Sequence, residues 1–149
     1  MAIIYKYIKH VGFAIVIAGL IFSWLFGSSV YFSVNPQVWF TPAYYLQFIP
    51  LYIAVSFLLC GVFIVSDFSG INFYLAVFGH ATSEEILFSL VGLTTTPLPL
   101  YAIYIFFPLS CLALWLAYAN VLNKKKVSIA EAVFGIVFST AFILLPRFW

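Results

Sequence analysis

The sequence is poor in charge. Asp, Glu, Lys and Arg make up 7% of its 149 residues, and the formal net charge is only +2. So small an excess gives no reason to expect a nucleic-acid partner. With 66% hydrophobic and 21% aromatic residues, the chain also lacks the polar surface that a soluble globule needs.

The sequence also lacks the motifs of catalysis and metal binding. Its two cysteines, Cys60 and Cys111, are isolated, and its single aspartate rules out an aspartyl dyad. It contains no His-Glu-x-x-His and no Gly-x-Ser-x-Gly motif. A bis-histidine haem would have to use His10 and His80, the only histidines. We therefore expect no cofactor, no metal site and no enzymatic activity.

Long apolar runs are what the chain has in abundance. Four of them, at about 11–32, 47–66, 98–122 and 129–145, approach or exceed the roughly 20 residues that cross a bilayer. The first resembles the core of a signal peptide but is longer, so we expect an uncleaved span. The sequence thus predicts an all-α integral membrane protein with a single polytopic domain, residues 1–149.

The segment at about 70–95 is ambiguous, because two short apolar runs flank the polar stretch His80–Glu85. A span here would place two glutamates near mid-depth, at about 2.5–3.5 kcal/mol each. We therefore predict a re-entrant or interfacial helical hairpin beside four spans. The positive-inside rule favours five spans instead, since these put Lys124–Lys126 on the same side as Lys6 and Lys9. The number of spans, and the side of this loop, remain open.

Small residues recur along one face of the first span. Gly19, Ser23 and Gly27 stand at every fourth position, and Gly12 lies on nearly the same face. Such a stripe lets two helix backbones approach closely, with the serine able to bond across the contact. The stripe predicts helix packing, either within the chain or between copies of it.

Three ionisable residues form a candidate ion or proton site: His80, Glu84 and Glu131. His80 and Glu84 are one turn apart if their segment is helical. However, Thr82–Glu85 and Ser128–Glu131 both match the capping box, in which the glutamate bonds back to the start of its helix. Capping favours a structural role for Glu85 and Glu131 and leaves Glu84 as the carboxylate without one.

The first functional hypothesis is a non-enzymatic membrane subunit that forms a homo-oligomer and anchors or signals to a soluble or membrane protein partner. Bacterial defence, immunity or multi-subunit membrane complexes contain proteins of this kind. The alternatives are a homo-oligomeric pore or ion/proton pathway, and a membrane anchor of a respiratory redox complex. We expect the protein to be embedded in a lipid bilayer, specifically a prokaryotic cytoplasmic (inner) membrane, with its N-terminus in the cytoplasm. Partner identity, transported species and oligomer number remain open.

Overall fold

The computed structural model describes residues 2–39 and 41–148, with side chains from Tyr7 onward. All regular structure in these residues is helical: α1 (Ala2–Gly27), α2 (Pro36–Trp39), α3 (Pro42–Leu46), α4 (Ile49–Val65), α5 (Ile71–Leu90), α6 (Leu100–Tyr118) and α7 (Ile129–Phe148). Four segments are long and apolar enough to cross a membrane: Tyr7–Gly27, Pro42–Val65, Leu100–Tyr118 and Ile129–Phe148. The chain is therefore an all-α membrane protein, as predicted.

The segment predicted as a hairpin is a single helix, so that prediction is wrong. Helix α5 runs without a break for 20 residues, which is about 30 Å and matches the hydrocarbon thickness of a bilayer. It is the central helix, packed against α4, α6 and α7, and eleven of its residues are buried. The hairpin was expected because two unpaired glutamates are costly in a membrane. In the structure, groups on α7 bind both of them.

Three helices end in the same way, with one residue in the left-handed conformation. These residues are Asp67 (φ 58°), Gly92 (φ 77°) and Asn120 (φ 51°), of the types that adopt it most readily. In each case the next backbone N–H donates to a carbonyl five residues back, from 68 to 63, 93 to 88 and 121 to 116. The chain leaves α4, α5 and α6 at these residues, and α5 packs against both α4 and α6.

The loops 66–70 and 119–128 lie at the same end of the bundle. The Lys124 ammonium is 2.5 Å from the Asp67 carboxylate, and the Lys125 N–H donates to the Ser69 carbonyl at 3.1 Å. The start of α1 is also at this end, because Gly12 lies against Ile64 near the end of α4. We call it the lysine end. Four spans and a hairpin would separate the two loops, so their contact means that α5 traverses the whole bundle.

The small-residue stripe on α1 faces α4. A Cβ added to Gly19 would lie 2.7 Å from the Leu58 Cα, and one added to Gly12 would lie 2.8 Å from an Ile64 methyl. Gly27 has more room, with its nearest neighbour at 3.7 Å. The buried Ser23 hydroxyl has no hydrogen-bond partner among the described residues. The stripe thus packs within the chain, and its serine does not bond across the contact.

Candidate functional site

The polar residues at the middle of α5 reach towards two other helices. Because α5 is continuous, His80 and Glu84 lie one turn apart, with Nδ1 of the histidine 3.6 Å from Oε1 of the glutamate. The other ring nitrogen, Nε2, is 2.7 Å from the Tyr118 hydroxyl at the end of α6. Both side chains are mostly buried, with exposed fractions of 16% and 14%. The helical spacing noted in the sequence therefore produces a real contact.

The second oxygen of Glu84 binds two hydroxyl groups on α7. Ser139 donates to Oε2 at 2.9 Å and Thr140 donates to it at 2.8 Å. Together Tyr118, His80, Glu84, Ser139 and Thr140 form a chain of polar contacts across α6, α5 and α7, which we call the His80–Glu84 chain. Tyr118, Ser139, Thr140 and a neutral His80 can each donate and accept a hydrogen bond, and Glu84 can do so when it is protonated. Such a chain is chemically suited to passing a proton from one member to the next.

Glu85, the next residue, is fully buried and paired with Arg147 near the end of α7. One guanidinium nitrogen lies 2.8 and 3.0 Å from its two carboxylate oxygens and also donates to the Thr95 carbonyl at 3.1 Å. The predicted capping box at Thr82 is wrong, because α5 begins at Ile71 and Thr82 lies inside the helix. Glu85 has a structural partner, but that partner is 62 residues away.

Glu131 lies apart from the other two predicted site residues. Its N–H donates to the Ser128 hydroxyl and its carboxylate accepts the Ser128 N–H at 2.9 Å, which confirms this capping box. Lys125 also pairs with it at 2.7 Å. Ser139 lies eight residues further along α7, about 12 Å away along the helix. The structure thus brings His80 and Glu84 together and leaves Glu131 at the lysine end.

Sequence reasoning missed four residues that contact the site's glutamates or complete its contacts: Tyr118, Ser139, Thr140 and Arg147. The sequence did mark Ser139, because Glu131, Gly135 and Ser139 form a stripe of small or polar residues on the last span that is typical of a helix contact. That stripe faces α5, as the contact between Ser139 and Glu84 shows. Tyr118 and Arg147 carry no comparable local pattern, because each meets α5 only through the tertiary fold.

Comparison with known proteins adds no assignment. The sequence matches no protein-family model, and it matches neither a curated protein nor a solved structure. Among the described residues, no three His, Cys, Asp or Glu side chains are grouped so that they could hold a metal ion. The chemistry of the site therefore rests on its own geometry.

Proposed function

We propose that this protein provides a proton pathway through the membrane, and that the His80–Glu84 chain is its central part. The observation that supports this proposal is the contact of His80 with Tyr118 on one side, at 2.7 Å, and with Glu84 on the other, at 3.6 Å. Ionisable groups inside a membrane bundle are costly and typically mark proton or ion pathways. A histidine between a phenol and a carboxylate can take up a proton at one ring nitrogen and release one at the other.

Polar groups extend from this chain towards both ends of the bundle. Tyr118 is the last residue of α6 and is 47% exposed near the lysine end. In the other direction, Glu84 is followed by Glu85, whose partner Arg147 reaches the Thr95 carbonyl in the loop at the opposite end. Since 3.6 Å exceeds a hydrogen bond, transfer from His80 to Glu84 requires a small side-chain movement or one bridging water.

We infer that five helices cross the bilayer and that the lysine end faces the cytoplasm. The contact between Lys124 and Asp67 supports five crossings, because it requires α5 to traverse the bundle. All five lysines then belong to one side by chain position, whereas Arg147 is at the other and pairs with Glu85. The positive-inside rule assigns the lysine-rich side, and with it the N-terminus, to the cytoplasm. A prokaryotic inner membrane remains a prediction.

The hypothesis of a self-associating subunit with a protein partner also remains a prediction. Its motivation was the stripe on α1, and the close approach of Gly12 and Gly19 to α4 explains that stripe within one chain. The redox-anchor hypothesis is likewise a prediction. A haem ligand at His80 would have to displace a neighbour of the ring, because the Tyr118 hydroxyl lies 2.7 Å from one ring nitrogen and the Glu84 carboxylate lies 3.6 Å from the other. We therefore rank the proton pathway first. Copurification from the native membrane with mass spectrometry tests for a partner or an oligomer.

Proton flux into vesicles tests the proposal directly. The purified chain is reconstituted with an internal pH-sensitive dye, and a potassium diffusion potential drives protons inward. We expect Glu84→Gln and His80→Phe to slow acidification by about tenfold or more, because each removes a group that passes the proton. Asp67→Asn is the matched control, an equally conservative change at an exposed carboxylate of the lysine end. Parent vesicles as tight as protein-free ones would reject the proposal.

The variant Glu131→Gln tests whether the pathway needs all three residues predicted from the sequence or only the His80–Glu84 chain seen in the structure. If the pathway needs all three predicted residues, this variant loses flux as Glu84→Gln does. A pathway through the His80–Glu84 chain instead leaves Glu131 as a capping residue of α7, bound to Ser128 and Lys125. Comparing the two variants in the same vesicles decides which set of residues carries the proton.

A further inference from the structure

An apolar groove of about 510 Å³ opens between α1 and α6 towards the surroundings of the bundle. Its walls include Val11 on α1 and Leu112 on α6, and its floor is formed by Cys60 on α4 and Phe78 on α5. The groove lies on segments that are long and apolar enough to cross a membrane, so its opening faces lipid tails. We propose that it holds one acyl chain of an anionic phospholipid from the leaflet at the lysine end.

The depth of the groove matches one leaflet. Its lining extends from Tyr7 to Ile15 on α1 and from Phe57 to Ile64 on α4, which is about 12 and 10 Å along the helix axes. Half of the hydrocarbon thickness of a bilayer is about 15 Å. Beyond the inner end of the groove, the Phe106 ring lies 5.6 Å from that of the lining residue Phe57 and 4.9 Å from that of Phe22, and so joins α6 to α4 and α1. A blind groove of this depth suits an acyl chain and not a second helix, which would cross both leaflets.

The charge at the open end favours an anionic headgroup. A small adjoining hollow shares Ile8, Ile64 and Leu122 with the groove and is also lined by the ion pair of Lys124 and Asp67. All five lysines belong to this end by chain position, against the two carboxylates of Asp67 and Glu131. Clustered lysines beside a membrane segment attract anionic lipids. An apolar slot for the tail and a basic rim for the phosphate are the two features that an anionic phospholipid requires.

Native mass spectrometry of the intact chain tests this inference. The protein is released from vesicles with equal amounts of phosphatidylglycerol and phosphatidylcholine, and the retained lipid is identified by mass. We expect phosphatidylglycerol to be retained at least about fivefold over phosphatidylcholine, and Lys126→Gln to reduce this preference. Equal retention of both lipids, or of neither, would overturn the proposal. Because the readout is lipid mass, the result does not depend on proton flux.

Two tryptophan variants of α1 locate the lipid. Val11 lies in the groove wall and is 56% exposed, so Val11→Trp fills the groove without displacing the core. Ile17, on the same helix and 60% exposed, lies outside the groove and gives the matched control Ile17→Trp. We expect only Val11→Trp to lose the lipid. Retention by both variants, or a dimer that Val11→Trp dissociates, would overturn the assignment.

Discussion

Helix α7 carries an ion pair at each end, and the two pairs differ in their surroundings far more than in their geometry. Arg147 lies 2.8 Å from Glu85 at one end, and Lys125 lies 2.7 Å from Glu131 at the other. The first pair is 8% and 0% exposed, whereas the second is 64% and 29% exposed. In the interior, neither charge has water to replace a lost partner. We therefore expect the buried pair to contribute far more to the stability of the fold than the exposed pair does.

Breaking the buried pair should give the largest loss of stability. We expect Arg147→Gln to lower the free energy of unfolding by about 3–5 kcal/mol, because it leaves the Glu85 carboxylate buried and uncompensated. The measurement is reversible unfolding in mixed detergent micelles. The double variant with Arg147→Leu and Glu85→Leu removes both charges and should recover most of the loss.

A small loss of unfolding free energy in Arg147→Gln would contradict the expected difference between the buried and the exposed pair. If this variant lost no more than an exposed pair contributes, about 0.2–1 kcal/mol, Glu85 would have another compensating group or access to water. A double leucine variant that is no better than Arg147→Gln would point instead to packing around the guanidinium. With either result, charge pairing between Arg147 and Glu85 would no longer explain why α5 is continuous.

Asn72 separates the effect of burial from that of position, because it is fully buried and yet lies at the lysine end. Its amide donates to the Asn120 side-chain oxygen at 2.6 Å and to the Lys125 carbonyl at 3.0 Å. We expect Asn72→Leu to cost about 1–3 kcal/mol, since a neutral buried network is lost. Lys126→Gln, an exposed change at the same end, is the control for the same unfolding measurement. Equal stability of the two variants would show that burial does not determine the cost.

The extent of three of the four apolar helices was predictable because the signal is local. Apolar length, prolines and the left-handed Asn120 define where α4, α6 and α7 begin and end within a few residues. The first span was less well predicted: α1 begins at Ala2 and ends at Gly27. There the backbone N–H of Ser28 donates to the Trp24 carbonyl and the chain leaves the helix.

The central helix was missed because each glutamate was assigned its insertion cost without a partner. The partners of Glu84 and Glu85 lie 55 to 62 residues further along the chain, and no local pattern connects them. The lysine distribution did favour five spans, since charge sidedness is a property of the whole chain. For the candidate site, helical spacing put His80 and Glu84 one turn apart only on the condition that their segment is helical, and the capping box predicted at Thr82 argued against that condition. The groups that complete the site were accessible only from the fold.

The exposed pair at the lysine end should give the smallest effect. After Lys125→Gln, the Glu131 carboxylate keeps the Ser128 N–H at 2.9 Å and the Ser128 hydroxyl at 3.0 Å, and water replaces the ammonium. We therefore expect a melting temperature in detergent that is indistinguishable from that of the parent. Ser128→Ala, which removes the cap itself, should cost about 1 kcal/mol and shows that the assay resolves changes at this end. A loss in Lys125→Gln as large as that in Arg147→Gln would mean that lipid or a partner covers the lysine end, and the two ends of α7 would then be alike.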